Sequence, residues 1–185
     1  MNVASAIKIN SNALIMLGHT PLSSFSDVGS GAQVANNLYE SSLRALLSAH
    51  RWRFATKKAQ LARLTAAPMN EYQYQFQLPS DFIMLIKAQN TSNFELYGDK
   101  LYSNNNTAYI DYIYRADESI FPPWFTKTLE FFLASQYAIP VTGNSTRMQE
   151  YNGMYEMQMR RAKNADSAER PNIGIVDSPF TDVRM

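Results

Sequence analysis

Apolar residues recur at helical spacing from the start of the chain. Val3, Ile7, Leu14 and Leu17 lie three to four residues apart or at multiples of that spacing, with Ile9 and Ala13 beside them. This spacing is typical of an amphipathic helix. Gly18 and Pro21 follow, and both residue types commonly end a helix. The pattern therefore predicts a first helix that ends at Gly18.

A second helix is predicted to begin at Ser30 and to end near His50. Gln33 lies three residues after Ser30, which is the spacing of a capping box. The predicted apolar stripe of this helix consists of Val34, Leu38, Ala45 and Ala49, with Leu46 at its side.

The middle of the chain has a β pattern. Apolar and polar residues alternate from Tyr72 to Leu78, with three glutamines on the second face, which predicts a strand with one wet face. The nearly continuous apolar run from Phe82 to Ala88 predicts a more central strand. Two further runs flank Gly98-Asp99 as a tight hairpin, and Tyr109 to Arg115 predicts another strand.

Helical spacing returns after Pro122-Pro123, a pair that suits a first helical turn. Pro140 is predicted to stop this third helix, and Thr142-Gly143-Asn144 to form a turn that caps the next one. The stripe of the fourth helix, which runs to about Ala168, consists of Met148, Tyr151, Tyr155, Met159 and Ala162.

These elements predict an α+β fold, in which a bundle of about four helices carries an inserted antiparallel β subdomain and an extended C-terminal tail. Residues 1–54 and 122–170 would form one helical domain. Residues 55–121 would form the inserted subdomain, and residues 171–185 the tail. Pro171, Gly174 and Pro179 exclude a continuous helix in the tail, although its apolar residues suggest contact with a surface.

Composition narrows the function. The 185 residues are 45% hydrophobic, enough for a substantial core, and contain no cysteine. The lack of cysteine excludes disulfides and thiolate metal sites. The two histidines, His19 and His50, are far apart in the sequence, which argues against a metal or cofactor site. No apolar run approaches the roughly 20 residues that cross a bilayer, and the N-terminus does not resemble a signal peptide. A net charge of +1 argues against a tight nucleic-acid binder.

Charge is unevenly distributed along the chain. No acidic residue occurs between Ser41 and Asn70, whereas acidic residues outnumber basic ones between Glu71 and Phe121. One interpretation is that the basic region of one copy contacts the acidic region of another, through contacts that weaken with salt. The other is that both regions are solvated faces. For the first alternative, the predicted inter-subunit residues are Arg44, Arg51, Arg53, Lys57 and Lys58.

Four methionines fall on the predicted fourth helix without sharing one face: Met148, Met154, Met157 and Met159. Some of them must therefore be exposed or contact another chain. Methionine is common at partner-binding surfaces as well as in cores. Met154 and Met157 are accordingly predicted to be inter-subunit contacts.

No motif fixes a catalytic site. Gly29-Ser30-Gly31 lacks the other parts of a phosphate loop and favours a linker with a helix cap. Asp111, Asp117 and Glu118 are the carboxylates that a glycosidase could use, although nothing fixes their separation. The segment from His50 to Phe54 could stack on bases through Trp52 or anchor a junction in the core, and the second interpretation is favoured.

The ordered set of motifs resembles the tail tubular protein A family, the head-to-tail adaptors (connectors) of short-tailed bacteriophages. The resemblance spans roughly residues 4–168 and is weakest after Pro171. It is carried by Trp52-Arg53-Phe54, Leu61, the strand and turn from Tyr72 to Phe82, Leu96-Tyr97-Gly98, Leu101-Tyr102, Tyr109 to Ile113, Phe121-Pro122-Pro123-Trp124-Phe125, and Leu133 to Asn144.

This resemblance implies a structural virion protein in the phage tail, assembled in the host cytoplasm. Such adaptors form a dodecameric ring between the portal protein and the tail nozzle protein, and double-stranded DNA passes through the ring. The resemblance requires no catalysis, and the composition argues separately against a cofactor and against membrane insertion. The tail would bind a neighbouring component, most readily the portal, or pack on its own subunit. Its predicted partner-binding residues are Ile173, Ile175, Val176, Phe180 and Val183.

Two other classes of function stay open. One is a glycan-degrading tail enzyme acting through Asp111, Asp117 or Glu118. The other is a nucleic-acid or host-surface binding module centred on Trp52 and its arginines.

Overall fold

A computed structural model describes residues 3–89 and 93–169 of the chain, with side chains from residue 5 onward. These ranges contain four α-helices and seven β-strands. The helices are α1 (Val3–Met16), α2 (Ser30–Ser48), α3 (Pro123–Thr142) and α4 (Ser145–Ala168). The strands are β1 (Thr56–Gln60), β2 (Ala62–Arg63), β3 (Tyr74–Gln77), β4 (Phe82–Gln89), β5 (Phe94–Tyr97), β6 (Lys100–Ser103) and β7 (Tyr109–Tyr114). A short 3-10 helix spans Glu118–Ile120.

The strands form two antiparallel sheets between α2 and α3. The first sheet has the order β1-β7-β4 and the second the order β2-β3-β6-β5. The α+β class, with helices on both sides of the strand block in sequence, is therefore confirmed. The tail from residue 171, with its predicted partner-binding residues from Ile173 to Val183, lies outside the described residues.

Two hydrophobic clusters give the molecule a layered arrangement. One face of the first sheet, including Met84 and Ile113, packs on the helices. Its other face, including Ile110 and Tyr112, packs on Phe76 and other apolar residues of the second sheet. Because side chains alternate along a strand, neighbouring residues of β7 serve different clusters. The first sheet is the middle layer between the helices and the second sheet.

The helix α1 ends, and α2 begins, within two residues of the predicted positions Gly18 and Ser30. Gly18 has φ +78°, and the amide of His19 donates to the carbonyl of Leu14 at 2.9 Å, which is the bond of a Schellman motif. The capping box at Ser30 was wrongly predicted: the cap is Gly29, and it makes no side-chain bond to the helix. Ser30 is already the first helical residue, so its side chain does not occupy the capping position.

The predicted stripe of α2 is rotated from the buried face that forms. Of the predicted stripe, Ala45 and Ala49 are exposed, and Val34 and Leu38 are half-buried. Leu46, which was predicted to lie at the side of the stripe, is buried. The apolar residues buried along this face are Ala32, Ala35, Tyr39, Leu43, Leu46 and Leu47. Tyrosine and leucine side chains bury far more area than alanine, so they decide which face turns inward.

Pro140 does not stop α3, contrary to the prediction. The helix continues to Thr142 and ends at Gly143, which has φ +67°. Proline removes only its own amide donor, and the acceptor it would have used belongs to Gln136, which lies on the exposed side. The predicted cap on α4 is confirmed, because the Asn144 side chain accepts bonds from the amides of Thr146 and Arg147.

Two β predictions need correction. The strand from Phe82, β4, lies at the edge of its sheet, and β7 is central. Its apolar run reflects the helices on one face and the second sheet on the other. Gln75, predicted to be wet, is only 6% exposed, and its amide donates to the carbonyl of Ala66 at 2.9 Å. The segment between β2 and β3 therefore covers a face that the alternation assigned to solvent.

Candidate assembly surface

An aromatic cluster forms where the chain enters and leaves the strand block. Trp52 is fully buried, and its indole nitrogen donates to the carbonyl of Leu46 at 2.9 Å. Its ring centroid lies 5.2 Å from that of Phe125, and Phe54 lies 5.9 Å from Phe121. The anchor interpretation of this segment is confirmed. Trp52 has no exposed ring face on which a base could stack.

Asp166 fixes the C-terminal part of α4 to the same junction. Its side chain is 3% exposed. One carboxylate oxygen accepts the backbone N–H of Arg53 at 2.9 Å, and the other lies 3.4 Å from Nε2 of His50. A buried carboxylate needs such partners to offset its lost hydration. The segment between α2 and β1 is thereby held from two sides, by Trp52 and by α4.

Arg51 and Arg53 flank Trp52 and are both exposed. Neither side chain forms an ion pair within the described ranges of the chain. We call these two residues the basic junction. Their guanidinium groups extend from a backbone that the neighbouring anchors hold in place.

The other predicted basic contacts are engaged within the chain. Arg44 pairs with Glu40 at 2.8 Å, Lys57 with Asp81 at 2.8 Å, and Lys58 with Asp111 at 3.9 Å. Lys57 also lies 3.7 Å from the centre of the Tyr114 ring. These three residues are weaker candidates for contacts with another copy, because each already pairs with a carboxylate of its own chain. Their inter-subunit role stays a prediction.

A charged network missed at the level of sequence joins α2 to the end of the strand block. Arg115 donates to Glu40 at 2.9 Å and to the fully buried side chain of Glu118 at 2.6 Å, and Tyr39 donates to Glu118 at 3.0 Å. Partial burial opposes ionisation of Glu40, but the bonds and charges of Arg115 and Arg44 lower its pKa overall. The i,i+4 spacing of Glu40 and Arg44 and the i,i+3 spacing of Arg115 and Glu118 could have indicated parts of this network.

The carboxylates of the enzyme alternative are all engaged in local contacts. Glu118 belongs to the network with Arg115, and Asp111 accepts a bond from Gln89 at 3.0 Å. Hydrogen bonds from the amide and hydroxyl of Ser119 lower the pKa of Asp117. A glycosidase acid needs a raised pKa, so the environment of Asp117 favours the opposite role of a helix cap.

The methionines of α4 divide as their spacing suggested. Met159 is buried against the helical core, and Met148 is half-buried. Met154 and Met157 are 43% and 48% exposed. Two flexible apolar side chains on an otherwise polar helix face suit contact with a partner. The sequence prediction that some of these methionines are exposed is confirmed, and their contact with another chain stays a prediction.

A second charged surface lies on the outer sheet. Glu95 on β5 stands opposite Tyr102 on β6. The rings of Tyr97 and Tyr102 are 5.8 Å apart. A hydrogen bond with Glu95, together with the charges of Glu95 and Glu71, raises the pKa of Tyr97. We call Glu71, Glu95, Tyr97 and Tyr102 the acidic tyrosine face. The sequence indicated its excess of acid but not its tyrosines.

The described ranges offer neither a metal cluster nor a helix that could span a membrane. There, no cluster of three or more histidine, aspartate or glutamate residues could hold a metal ion. None of the helices in these ranges combines the length and the apolar character that a membrane span requires. No protein-family model matches the chain, and neither does any curated protein. The resemblance to phage adaptors therefore rests on its ordered motifs alone.

Proposed function

We propose that the protein is a structural adaptor subunit that assembles into a ring between the portal and the tail nozzle of a short-tailed phage. The observation that carries this proposal is the basic junction. Arg51 and Arg53 are exposed and lack an ion pair in the described part of the chain, although they stand on a backbone fixed by Trp52 and Asp166. Preorganised arginines are typical of protein interfaces.

Two further features support an assembly role. Met154 and Met157 give α4 an exposed apolar strip. The four helices share one core, which provides a rigid unit from which contacts can be repeated around a ring. On this proposal the ring surrounds the DNA during its passage, and the subunit contributes no catalytic group.

The experiment is to measure mass in solution for the purified full chain, alone and after mixing with the portal protein of the same phage. We expect a complex of defined stoichiometry whose mass corresponds to a dodecameric ring on the portal. A chain deleted after Arg170 is the matched variant. It should keep its melting temperature but lose portal binding, because the tail is proposed to bind the portal.

Two results would overturn parts of this proposal. Absence of any portal complex from a well-folded full chain would refute the adaptor function. Portal binding that persists in the deleted chain, accompanied by lower stability of the free subunit, would place the tail on its own subunit instead.

A further inference from the structure

The basic junction and the acidic tyrosine face belong to different layers of the molecule. Arg51 and Arg53 flank a tryptophan of the helical core. Glu95 and Tyr97 lie on β5, whose Phe94 packs in the cluster between the two sheets. The first sheet stands between these layers, so the two charged surfaces of one chain do not meet.

The chemistry of the two surfaces is complementary. A guanidinium group pairs with carboxylates and stacks on aromatic rings, which lysine does less well. The acidic tyrosine face offers both kinds of partner, with Tyr97 56% exposed. Glu71 and Glu95 provide its carboxylates, and Asp99 and Lys100 lie at the turn between β5 and β6. Tyrosine and arginine are also the residue types enriched at interface centres.

We propose that the basic junction of one copy docks on the acidic tyrosine face of the next copy. The contact is heterologous, because each copy contributes a different surface, and a heterologous contact closes into a ring when its rotation allows. This inference rests on the proposed function, since it names the subunit contact of the proposed ring.

The charges of the two surfaces favour a second copy of the chain, rather than nucleic acid, as the partner of the basic junction. A phosphate backbone would satisfy Arg51 and Arg53 but leave the acidic tyrosine face without a cationic partner. A second copy satisfies both surfaces with one contact. The nearly neutral net charge of the chain also favours a partner of mixed charge over a polyanion.

The test exchanges charge between the two surfaces. One variant carries Arg51→Glu with Arg53→Glu, and the other carries Glu71→Arg with Glu95→Arg. Each variant alone brings like charges together, so its self-association, measured by sedimentation, should weaken by about tenfold or more relative to the native chain. Mixing the two variants restores opposite charges at every contact and should recover association to within about threefold of the native level.

A third variant controls for the change in net charge. Arg160→Glu with Arg161→Glu changes the net charge equally but uses exposed positions of α4 outside both surfaces. Because both surfaces are intact in this variant, its own self-association should stay within about threefold of the native level. If Arg53→Glu disturbs the neighbouring Asp166 and the double variant unfolds by circular dichroism, Arg51→Glu alone replaces it in the mixture.

Several outcomes would overturn the docking proposal. They are a native chain that stays monomeric at its highest soluble concentration, a mixture that fails to recover association, and a control variant whose self-association falls as far as that of the Arg51 and Arg53 variant. Binding of duplex DNA that is lost in the Arg51 and Arg53 variant, with self-association unchanged, would assign the basic junction to nucleic acid instead. Since portal binding is measured separately, the adaptor function can survive the failure of this contact.

Discussion

The hydroxyl group of Tyr137 connects two helices inside the core. It donates to Oδ1 of Asn10 at 2.6 Å, and Nδ2 of Asn10 donates to the carbonyl of Ala6 at 2.8 Å. Both residues are fully buried. Burial raises the pKa of Tyr137, so the phenol stays protonated and available as a donor at neutral pH. This pair fixes the position of α1 along α3 in a way that apolar packing alone would not.

Replacing Tyr137 with Phe should lower the free energy of unfolding by about 1–3 kcal/mol, because a buried acceptor on Asn10 loses its partner. Urea unfolding followed by circular dichroism measures the change. Tyr109→Phe is the matched control at a more exposed position, where a surface change of less than about 0.5 kcal/mol is expected. Equal effects of the two substitutions would show that the hydrogen bond contributes nothing specific.

Contacts of this kind are what the sequence could not predict. Asn10 lies within an apolar helical pattern and gives no sign of the tyrosine 127 positions away that it binds. The same holds for Arg115 and Glu40, which are 75 positions apart. Composition and periodicity report on a residue's own segment, whereas these bonds depend on how separate segments pack.

At the scale of elements, two glycines near and within α4 have opposite roles. Gly143 separates α3 from α4 in a left-handed conformation, with φ +67°. Gly153 lies inside α4, outside that region, and a Cβ atom added to it would meet no atom within 4 Å. The first glycine is required by its backbone angles, while the second only loosens the helix.

Gly153→Ala should therefore raise the free energy of unfolding by about 0.5–1 kcal/mol, through better helix propensity and a less flexible unfolded chain. Gly143→Ala should lower it by about 1 kcal/mol, because alanine resists a positive φ. Thermal unfolding of both variants against the native chain measures the pair. Stabilisation by both substitutions, or by neither, would contradict this account.

The elements themselves were largely predictable, and their errors have a common cause. The change from helical to alternating spacing near Tyr72 and the return near Phe125 gave the order of two helices, a strand block and two helices correctly. The strands β1 and β2, which precede Tyr72, were not predicted. Besides the capping box at Ser30, the wrong details were the end of α3 at Pro140, the buried face of α2, the position of β4 in its sheet and the burial of Gln75. Each depends on what covers the element, and a single segment does not contain that information.

At the scale of the whole molecule, the aromatic cluster joins the helical core to both ends of the strand block. Trp52 and Trp124 lie 5.6 Å apart within it, and Phe54 contacts Phe121 and Phe125. The first sheet also shares the helical core through Ile113. Strands and helices therefore depend on the same set of side chains.

We expect one cooperative unfolding transition for the full chain, since neither part keeps its core without the other. Both tryptophans of the chain lie in the cluster, so tryptophan fluorescence reports on the junction while circular dichroism near 222 nm reports on the helices. The two signals should give the same urea midpoint. Midpoints that separate would show that the strand block unfolds independently.

The candidate site was predictable only in outline. Uneven charge along the sequence indicated a basic and an acidic region, and both are present on the surface. Which arginines remain without an ion pair in the described ranges could not be read from the sequence, because Glu40, Asp81 and Asp111 reach the other basic residues only after folding. Because the other three candidates are paired within the chain, Arg51 and Arg53 are favoured among the five, and the inter-subunit role of all five stays a prediction.

The bonds of Asp166 have a mechanical consequence. Tension applied to the chain beyond residue 169 would first load α4 at its C-terminal end. There, the carboxylate of Asp166 holds the backbone of Arg53 and approaches His50. These contacts must break before α4 can separate from α3. While they hold, they transmit the force to the junction of α2 and β1. A subunit with these contacts transmits force from its C-terminal helix to the rest of the fold, and α4 does not unfold first.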